Sequence, residues 1–229
     1  MPPTKLIIAD DHPLFRSALK EAVRRHVPDA MIVEASSLET LQHAIAAHGD
    51  ADLILLDLRM PGAKGFSVLL YLRAEHPAIP VIVVSAAENA HVVQRAFDFG
   101  ASGFIPKSAS VETIGESLRT VLDGGVCAPG IAARVIASEQ PDRDLARRLS
   151  ALTPQQLRVL VTLAGGQSNK QIAANLSITE ATVKAHITAI LRKLGTERRT
   201  QAALIAHRLL ETGERADMNG LDDDGGEDD

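Results

Sequence analysis

Apolar residues in the first half of the chain fall into short runs: Leu6-Ile7-Ile8-Ala9, Leu53-Ile54-Leu55-Leu56, Val81-Ile82-Val83-Val84 and Gly103-Phe104-Ile105. Runs this short and apolar on both faces predict buried parallel strands rather than helices. Between them the apolar spacing changes to that of helices. Phe15, Leu19, Ala22 and Val23 follow the first run. Val92, Val93, Ala96 and Phe97 precede Gly100, and Ile114, Leu118, Val121 and Leu122 precede Gly124-Gly125, both plausible helix stops. Five strands alternating with five helices call for an α/β doubly wound five-stranded parallel sheet. Right-handed crossovers favour the strand order 2-1-3-4-5. This unit is expected over residues 1–125.

Beyond it the pattern weakens and then changes. Residues 126–150 mix short apolar groups with Pro129, Gly130, Pro141 and the charged run Asp142 to Arg148, as expected of a linker carrying a marginal helix. Residues 151–212 then show repeated helix starts. Thr153-Pro154-Gln155-Gln156 combines a cap, a proline at the first helical position and Gln three residues on, and Ser168-Asn169-Lys170-Gln171 repeats the capping box. Thr179-Glu180-Ala181-Thr182 opens a third helix, with an acid in its first turn, that runs to Leu194 and stops at Gly195. A fourth is expected from about Arg199 to Leu210. The result is a small all-α four-helix domain, followed by an acidic tail over 213–229.

Composition narrows the class. The 229 residues are 45% hydrophobic but only 3% aromatic, so the cores must be aliphatic. One cysteine, Cys127, excludes an internal disulfide framework and fits a reducing cytoplasm. No leader-like segment precedes the first strand and no apolar run approaches spanning length, so a cytoplasmic location without membrane contact is expected. The net charge of −5 hides a segregation. Residues 151–210 hold eight Lys and Arg against two acids, while 211–229 hold one against nine. A compact basic segment between acidic ones is the electrostatic footprint of a nucleic-acid module. Asp222 to Asp229, six acids and two glycines, is too polar to order itself and is expected to be disordered.

The strand ends carry the chemistry. The first run ends in Asp10-Asp11, the second in Asp57, the third in Ser85-Ala86 and the fourth in Pro106-Lys107. Ligands of open α/β sheets bind at this carboxyl edge. Clustered carboxylates in a crevice invite a cation, and hard oxygen donors point to Mg²⁺ rather than zinc. Such a metal could bridge Asp57 to a phosphoryl group whose other oxygens Lys107 and Ser85 hold, with Asp57 as nucleophile forming an acyl phosphate. These residues, with Asp57 followed by Leu58-Arg59-Met60-Pro61-Gly62, resemble the receiver domains of two-component response regulators over roughly residues 4–124. The resemblance implies that Asp11, Asp57 and the backbone carbonyl of Arg59 ligate Mg²⁺, that Asp10 helps through water, and that Phe104 is the aromatic partner of a mobile Ser85. Phe104 is equally explicable as a core residue.

Leu176-Ser177-Ile178 joins helices two and three of the basic domain, a connection of helix-turn-helix length that would send helix three into a major groove. Val183, Ile187, Ile190, Leu191 and Leu194 form its apolar face, leaving Lys184, Ala185 and Thr188 outward. The segment resembles a LuxR-type DNA-binding domain in Leu152-Thr153-Pro154, Val159-Leu160, Ser168-Asn169-Lys170, Ile172-Ala173, Thr182-Val183-Lys184, Lys193-Leu194-Gly195 and Arg199-Thr200-Gln201-Ala202. The whole chain is similar to NarL/FixJ-class response regulators. Lys184 is expected at a base edge or phosphate and Ala185 at a thymine methyl. Thr188 stands where some relatives carry a base-reading side chain. Thr182 belongs to the matched motif, and Lys170, Arg192, Lys193, Arg198 and Arg199 are expected to contact phosphates.

Departures matter too. Gln155-Gln156 replaces the usual Arg-Glu, removing a charge pair that would tie the first helix to its neighbours. Thr196 stands where an apolar residue is common. His186 reads as packing or backbone support, and His12 and His91, without metal-ligand pairing, as solvated side chains. The last helix carries Ala202, Ala203, Ile205, Ala206, Leu209 and Leu210; some of that surface must pack on its own domain, and the small residues would suit a close two-fold contact. A homodimer on DNA would then place two recognition helices roughly 34 Å apart.

The expected whole is a DNA-binding transcription factor, not an enzyme, switched by Mg²⁺-dependent phosphorylation of Asp57 from a sensor histidine kinase. A haloacid-dehalogenase-type phosphatase is the alternative from another class. It wants a second acid two residues after the nucleophile, where this chain has Arg59. A phosphorylation-independent dimerisation module and a small-molecule-sensing LuxR protein both leave the acidic set unexplained.

Overall fold

A computed structural model describes residues 3–128 and 143–210. Strands β1 (Lys5–Ala9), β2 (Met31–Ala35), β3 (Leu53–Asp57), β4 (Val81–Ser85) and β5 (Gly103–Pro106) form one parallel sheet in the order β2-β1-β3-β4-β5. Helices α1 (Pro13–His26), α2 (Leu38–Ala47), α3 (Ser67–Glu75), α4 (Ala90–Asp98) and α5 (Val111–Leu122) make the crossovers. Strand alternation sorts the core into two faces. Leu6, Ile8, Leu53, Leu55, Ile82, Val84 and Ile105 pack with Leu19, Val23, Ile114 and Leu118 of α1 and α5. Ile7, Ala9, Ile54, Leu56, Val81, Val83 and Phe104 pack with side chains of α2, α3 and α4. Every residue of β3 and β4 is buried, which is why those runs read as unbroken apolar sequence.

The register places the chemistry. Asp57 pairs with Val84 and Ser85 with Pro106, so Asp57, Ser85 and Lys107 leave neighbouring strands at one edge. The Lys107 amide donates to the Ser85 carbonyl at 2.8 Å and fixes that edge. Ala9 pairs with Leu56 and brings Asp10 and Asp11 alongside.

Four helices, α7 (Pro154–Ala164), α8 (Asn169–Leu176), α9 (Glu180–Leu194) and α10 (Arg199–Leu210), follow α6 (Arg143–Ser150). Thr153 and Ser168 close true capping boxes, and Thr179 accepts the Thr182 amide at 3.1 Å, each cap being worth about 1 kcal/mol. Between α8 and α9, Ser177 takes a left-handed conformation (φ 54°), the one such residue other than glycine among those described.

The expected linker is more ordered at both of its described ends. Cys127 is buried and bridges to β5: its amide donates to Ser102, and its carbonyl accepts from Phe104, both at 3.1 Å. At the other end, α6 buries Ala146 and Leu149 and packs against α3, α4 and α9. It is a wedge between the two units rather than a marginal helix; the charged run hid this because only one narrow stripe of α6 is apolar. Residues 129–142 and the acidic tail, with its expected disorder, lie outside the described residues.

The units are docked. The core on the α2–α3–α4 side continues into the helical domain, where α7 packs on α3. Arg158 of α7 lies 5.7 Å from the centre of the Tyr71 ring on α3.

Candidate functional site

Asp57 ends β3 in a crevice at the carboxyl edge of the sheet. Its side chain is 2% exposed, that of Asp10 1%, and Ser85 is 4% exposed as a residue. One Asp57 oxygen accepts the Arg59 amide at 3.0 Å, and the other accepts Lys107 Nζ at 2.8 Å. Lys107 Nζ also lies 2.8 Å from Asp10 Oδ2, so a single ammonium spans two buried carboxylates. Burial pushes the Asp57 carboxyl above the usual carboxylate range, with a further push from Asp10, against the opposing hydrogen bonds of Lys107 and the Arg59 amide. Burial also works to lower Lys107, but its bonds to Asp10 and Asp57 outweigh that and hold it above the ordinary lysine value.

Asp10, Asp11, His12 and Asp57 each present a ligand atom within 4.8 Å of all the others. With three carboxylates in this set and one lysine to neutralise them, the donor chemistry fits a hard divalent cation such as Mg²⁺. Arg59 and Asp11 line one pocket beside this set. Ser85 Oγ accepts the Ala87 amide at 3.1 Å and stays at the sheet edge. Phe104, one strand over, is 2% exposed and packed in the core. His12 is exposed, as expected of a solvated side chain, yet its Nδ1 lies 2.8 Å from Asp11 Oδ1. Its position directly after Asp10-Asp11 was the available signal.

In the helical domain, α9 buries Val183, Ile187, Ile190 and Leu194. Lys184, Ala185 and Thr188 are exposed on the opposite side, and Arg192 continues the stripe at the same four-residue spacing. Thr188 returns its hydroxyl to the Lys184 carbonyl at 3.0 Å, leaving its methyl and oxygen lone pairs outward. Thr182 is half-buried in the first turn of α9, while Lys170 and Arg198 are exposed.

Two of the expected phosphate contacts are used otherwise. Lys193 Nζ donates to the Ala151 carbonyl at 2.7 Å and to Gln156 Oε1 at 2.8 Å. Arg199 binds Asn169 Oδ1 and the Gln167 carbonyl. Both brace the helical domain. The first brace also corrects the expectation for Gln156: the tie from α7 to α9 persists as a neutral-acceptor hydrogen bond instead of an ion pair. Thr196 keeps the cost of its departure, since its buried hydroxyl has no hydrogen-bond partner among the described residues.

The family model described as "Response regulator receiver domain" matches residues 6–119, and "Bacterial regulatory proteins, luxR family" matches 150–206. The chain belongs to the response regulators of two-component systems. This regulator is similar to the glycerol metabolism activator of Pseudomonas putida, with 43% identity over 208 residues covering 88% of this chain and 94% of that one. It is similar to the nitrate/nitrite response regulator protein NarL of Escherichia coli, with 32% identity covering 90% and 96%. Among solved structures, the RcsB response regulator of Salmonella typhimurium shares the fold at a TM-score of 0.55 and 22% identity, covering 91% of this chain and all of that one. The regulator thus joins a receiver to a LuxR-type DNA-binding domain and is a transcription factor of the phosphorylation-dependent class. Among the described residues no helix is long and apolar enough to cross a membrane.

Proposed function

We propose that Asp57 is the phosphoacceptor, that a sensor histidine kinase is the donor, and that the modification gates DNA binding. The observation that carries this reading is Lys107 Nζ, 2.8 Å from both Asp57 and Asp10 in a crevice also lined by Asp11. An Asp57 oxygen attacks phosphorus in line as the P–N bond of a phosphohistidine breaks, and the departing imidazole keeps the electron pair and takes a proton. Lys107 and Ser85 take up equatorial phosphoryl oxygens. Asp11, Asp57 and the Arg59 carbonyl would hold Mg²⁺, with Asp10 behind them. When bound, the ion supplies positive charge against the incoming phosphoryl oxygens. Such a transfer occurs once per signal, so the protein acts as a cytoplasmic switch and not as a turnover enzyme.

DNA is read by α9. Lys184, Ala185 and Thr188 face bases, with Lys170, Thr182, Arg192 and Arg198 on the backbone. These side chains, apart from half-buried Thr182, are exposed while the domains are docked, which favours a gate acting on subunit pairing rather than on access to α9. The docked receiver holds the last turn of α10, and Leu204 on that helix is 63% exposed, suited to a two-fold contact.

The test is acetyl phosphate or phosphoramidate labelling in Mg²⁺ with borohydride trapping. Homoserine at position 57, lost in Asp57→Asn, is the expected result. Labelling at another residue overturns the assignment.

A further inference from the structure

His12 supplies the one nitrogen donor in the set Asp10, Asp11, His12 and Asp57. It holds the N-cap position of α1, where Ser, Thr, Asp or Asn usually closes the first turn, yet its side chain makes no cap hydrogen bond. Its ring is turned to the carboxylates instead. Nδ1 lies 2.8 Å from Asp11 Oδ1, 3.5 Å from Asp10 Oδ1 and 3.8 Å from Asp57 Oδ2, with Lys107 Nζ 3.4 Å away. The backbone holds the ring root there, because the His12 amide donates to Asp10 Oδ1 at 2.7 Å and the Arg16 amide donates to the His12 carbonyl at 2.9 Å.

These separations have the scale of a coordination shell. Ligand atoms about 2.1 Å from an octahedral ion are about 3 Å apart when adjacent and about 4.2 Å apart when opposed. The three nitrogen–oxygen distances straddle the adjacent value and all stay below the opposed one. In the absence of an ion the same nitrogen can carry a proton and donate to Asp11; stripped of it, the lone pair points among the carboxylates.

We infer that His12 is an inner ligand of a divalent ion held beside Asp57, making the site a mixed carboxylate–imidazole one that favours Mn²⁺ and later first-row ions over Mg²⁺. The inference rests on the reading of this crevice as the cation site. Imidazole nitrogen suits these softer ions, whereas Mg²⁺ keeps oxygen ligands and water, so His12 yields its place to water when Mg²⁺ binds. The consequence is a receiver that distinguishes metals through a residue next to the carboxylate pair. His12 is 62% exposed in its side chain, so replacing it leaves the sheet core untouched.

The experiment uses the full-length protein with Mn²⁺ alone, read by pulsed electron paramagnetic resonance, together with Mn²⁺ and Mg²⁺ affinities by titration. Wild type is expected to show ¹⁴N modulation from a coordinated imidazole. The variant His12→Ser, which can still cap α1, is expected to lose that modulation and to bind Mn²⁺ about tenfold more weakly, with Mg²⁺ affinity changed less than about twofold. Asp11→Asn should weaken both ions. Bound Mn²⁺ that depends on Asp11 but shows no ¹⁴N modulation overturns the ligand role and leaves the cation site standing. Modulation that survives in His12→Ser also overturns it. Binding of neither ion, or binding indifferent to Asp11, overturns both the inference and the cation reading beneath it.

Discussion

The Phe66 amide donates to the Leu209 carbonyl across 3.1 Å, joining the start of α3 in the receiver to the last turn of α10 in the DNA-binding domain. Phe66 is the N-cap of α3 and has no side-chain cap of its own. A helix start presents unsatisfied amides and a helix end unsatisfied carbonyls, so each end meets the need of the other and the two dipoles abut favourably. Arg95 completes the latch. It is 6% exposed, lies 4.8 Å from the centre of the Phe66 ring and 5.6 Å from that of Phe99, and donates to the Arg208 carbonyl. Gly65, at φ +53°, lets the backbones approach, since a Cβ there would stand 2.7 Å from the Leu209 oxygen and 2.8 Å from the Leu210 oxygen. The latch lies one loop from Asp57, and Leu210 lines the same crevice as Asp11 and Arg59. A phosphoryl group would therefore add negative charge near the negative end of α10.

Breaking this latch should separate the domains without phosphorylation. Gly65→Ala and Arg95→Ala are each expected to remove about 1–3 kcal/mol of docking free energy, shifting the docked-to-undocked ratio by about 5- to 150-fold. Spin labels on α2 and α8 read the inter-domain distance. A distribution unchanged from wild type in both variants would show that the contact does not hold the domains together.

Asp57→Asn is expected to stabilise the receiver. The folded-state pKa of Asp57 lies above its ordinary value, so the charged form is penalised by folding at pH values above that raised pKa. An amide avoids the penalty while keeping the shape. The Tm advantage of the variant should be full at neutral pH and close as the pH falls through the raised pKa of Asp57, where the wild-type carboxyl becomes neutral in the fold. Thermal melts of both proteins across the acid range check the sign.

Much of this was legible in sequence because strand runs and caps are local signals. The β3 run led straight to Asp57, and the capping residues Thr153, Ser168 and Thr179 located three helix starts to the residue. The roles of His12, Lys193, Arg199 and α6 were not legible. Each depends on which partner the tertiary fold brings close. Lys193 reads as a DNA contact until Gln156, far away in sequence, is seen at its ammonium. His12 reads as solvated and is exposed, but its nearness to Asp11 and Asp57 appears only once β1 and β3 lie side by side. The latch is invisible for the same reason, since it is made largely by backbone groups that carry no residue signature.

The braces and the exposed cations should separate in salt dependence. Lys170→Ala, Arg192→Ala and Arg198→Ala are each expected to flatten the slope of log affinity against log salt by about 0.9, whatever the DNA sequence. Lys184→Ala should in addition relax sequence preference if it reaches a base. Lys193→Ala is expected to lower the Tm of the helical domain while leaving the slope unchanged. A slope loss for Lys193→Ala equal to that of Arg192→Ala would return it to the phosphate contacts.

Leu204 offers a clean test of pairing. Being exposed, it can be changed to Glu with little effect on stability, yet a like-charged pair at a two-fold axis should abolish cooperative binding to an inverted repeat. Monomeric binding to a single half-site should survive. Undiminished cooperativity would place the dimer contact elsewhere.

The central claim is that modification of Asp57 controls DNA binding, and it is tested most directly by the affinity of the full-length protein for genomic fragments, selected in Mg²⁺ with and without beryllofluoride. Enrichment of an inverted repeat only with the phosphoryl mimic, absent in Asp57→Asn, is the predicted result. Equal enrichment in both conditions would contradict the account and leave the receiver as a dimerisation module that does not gate binding.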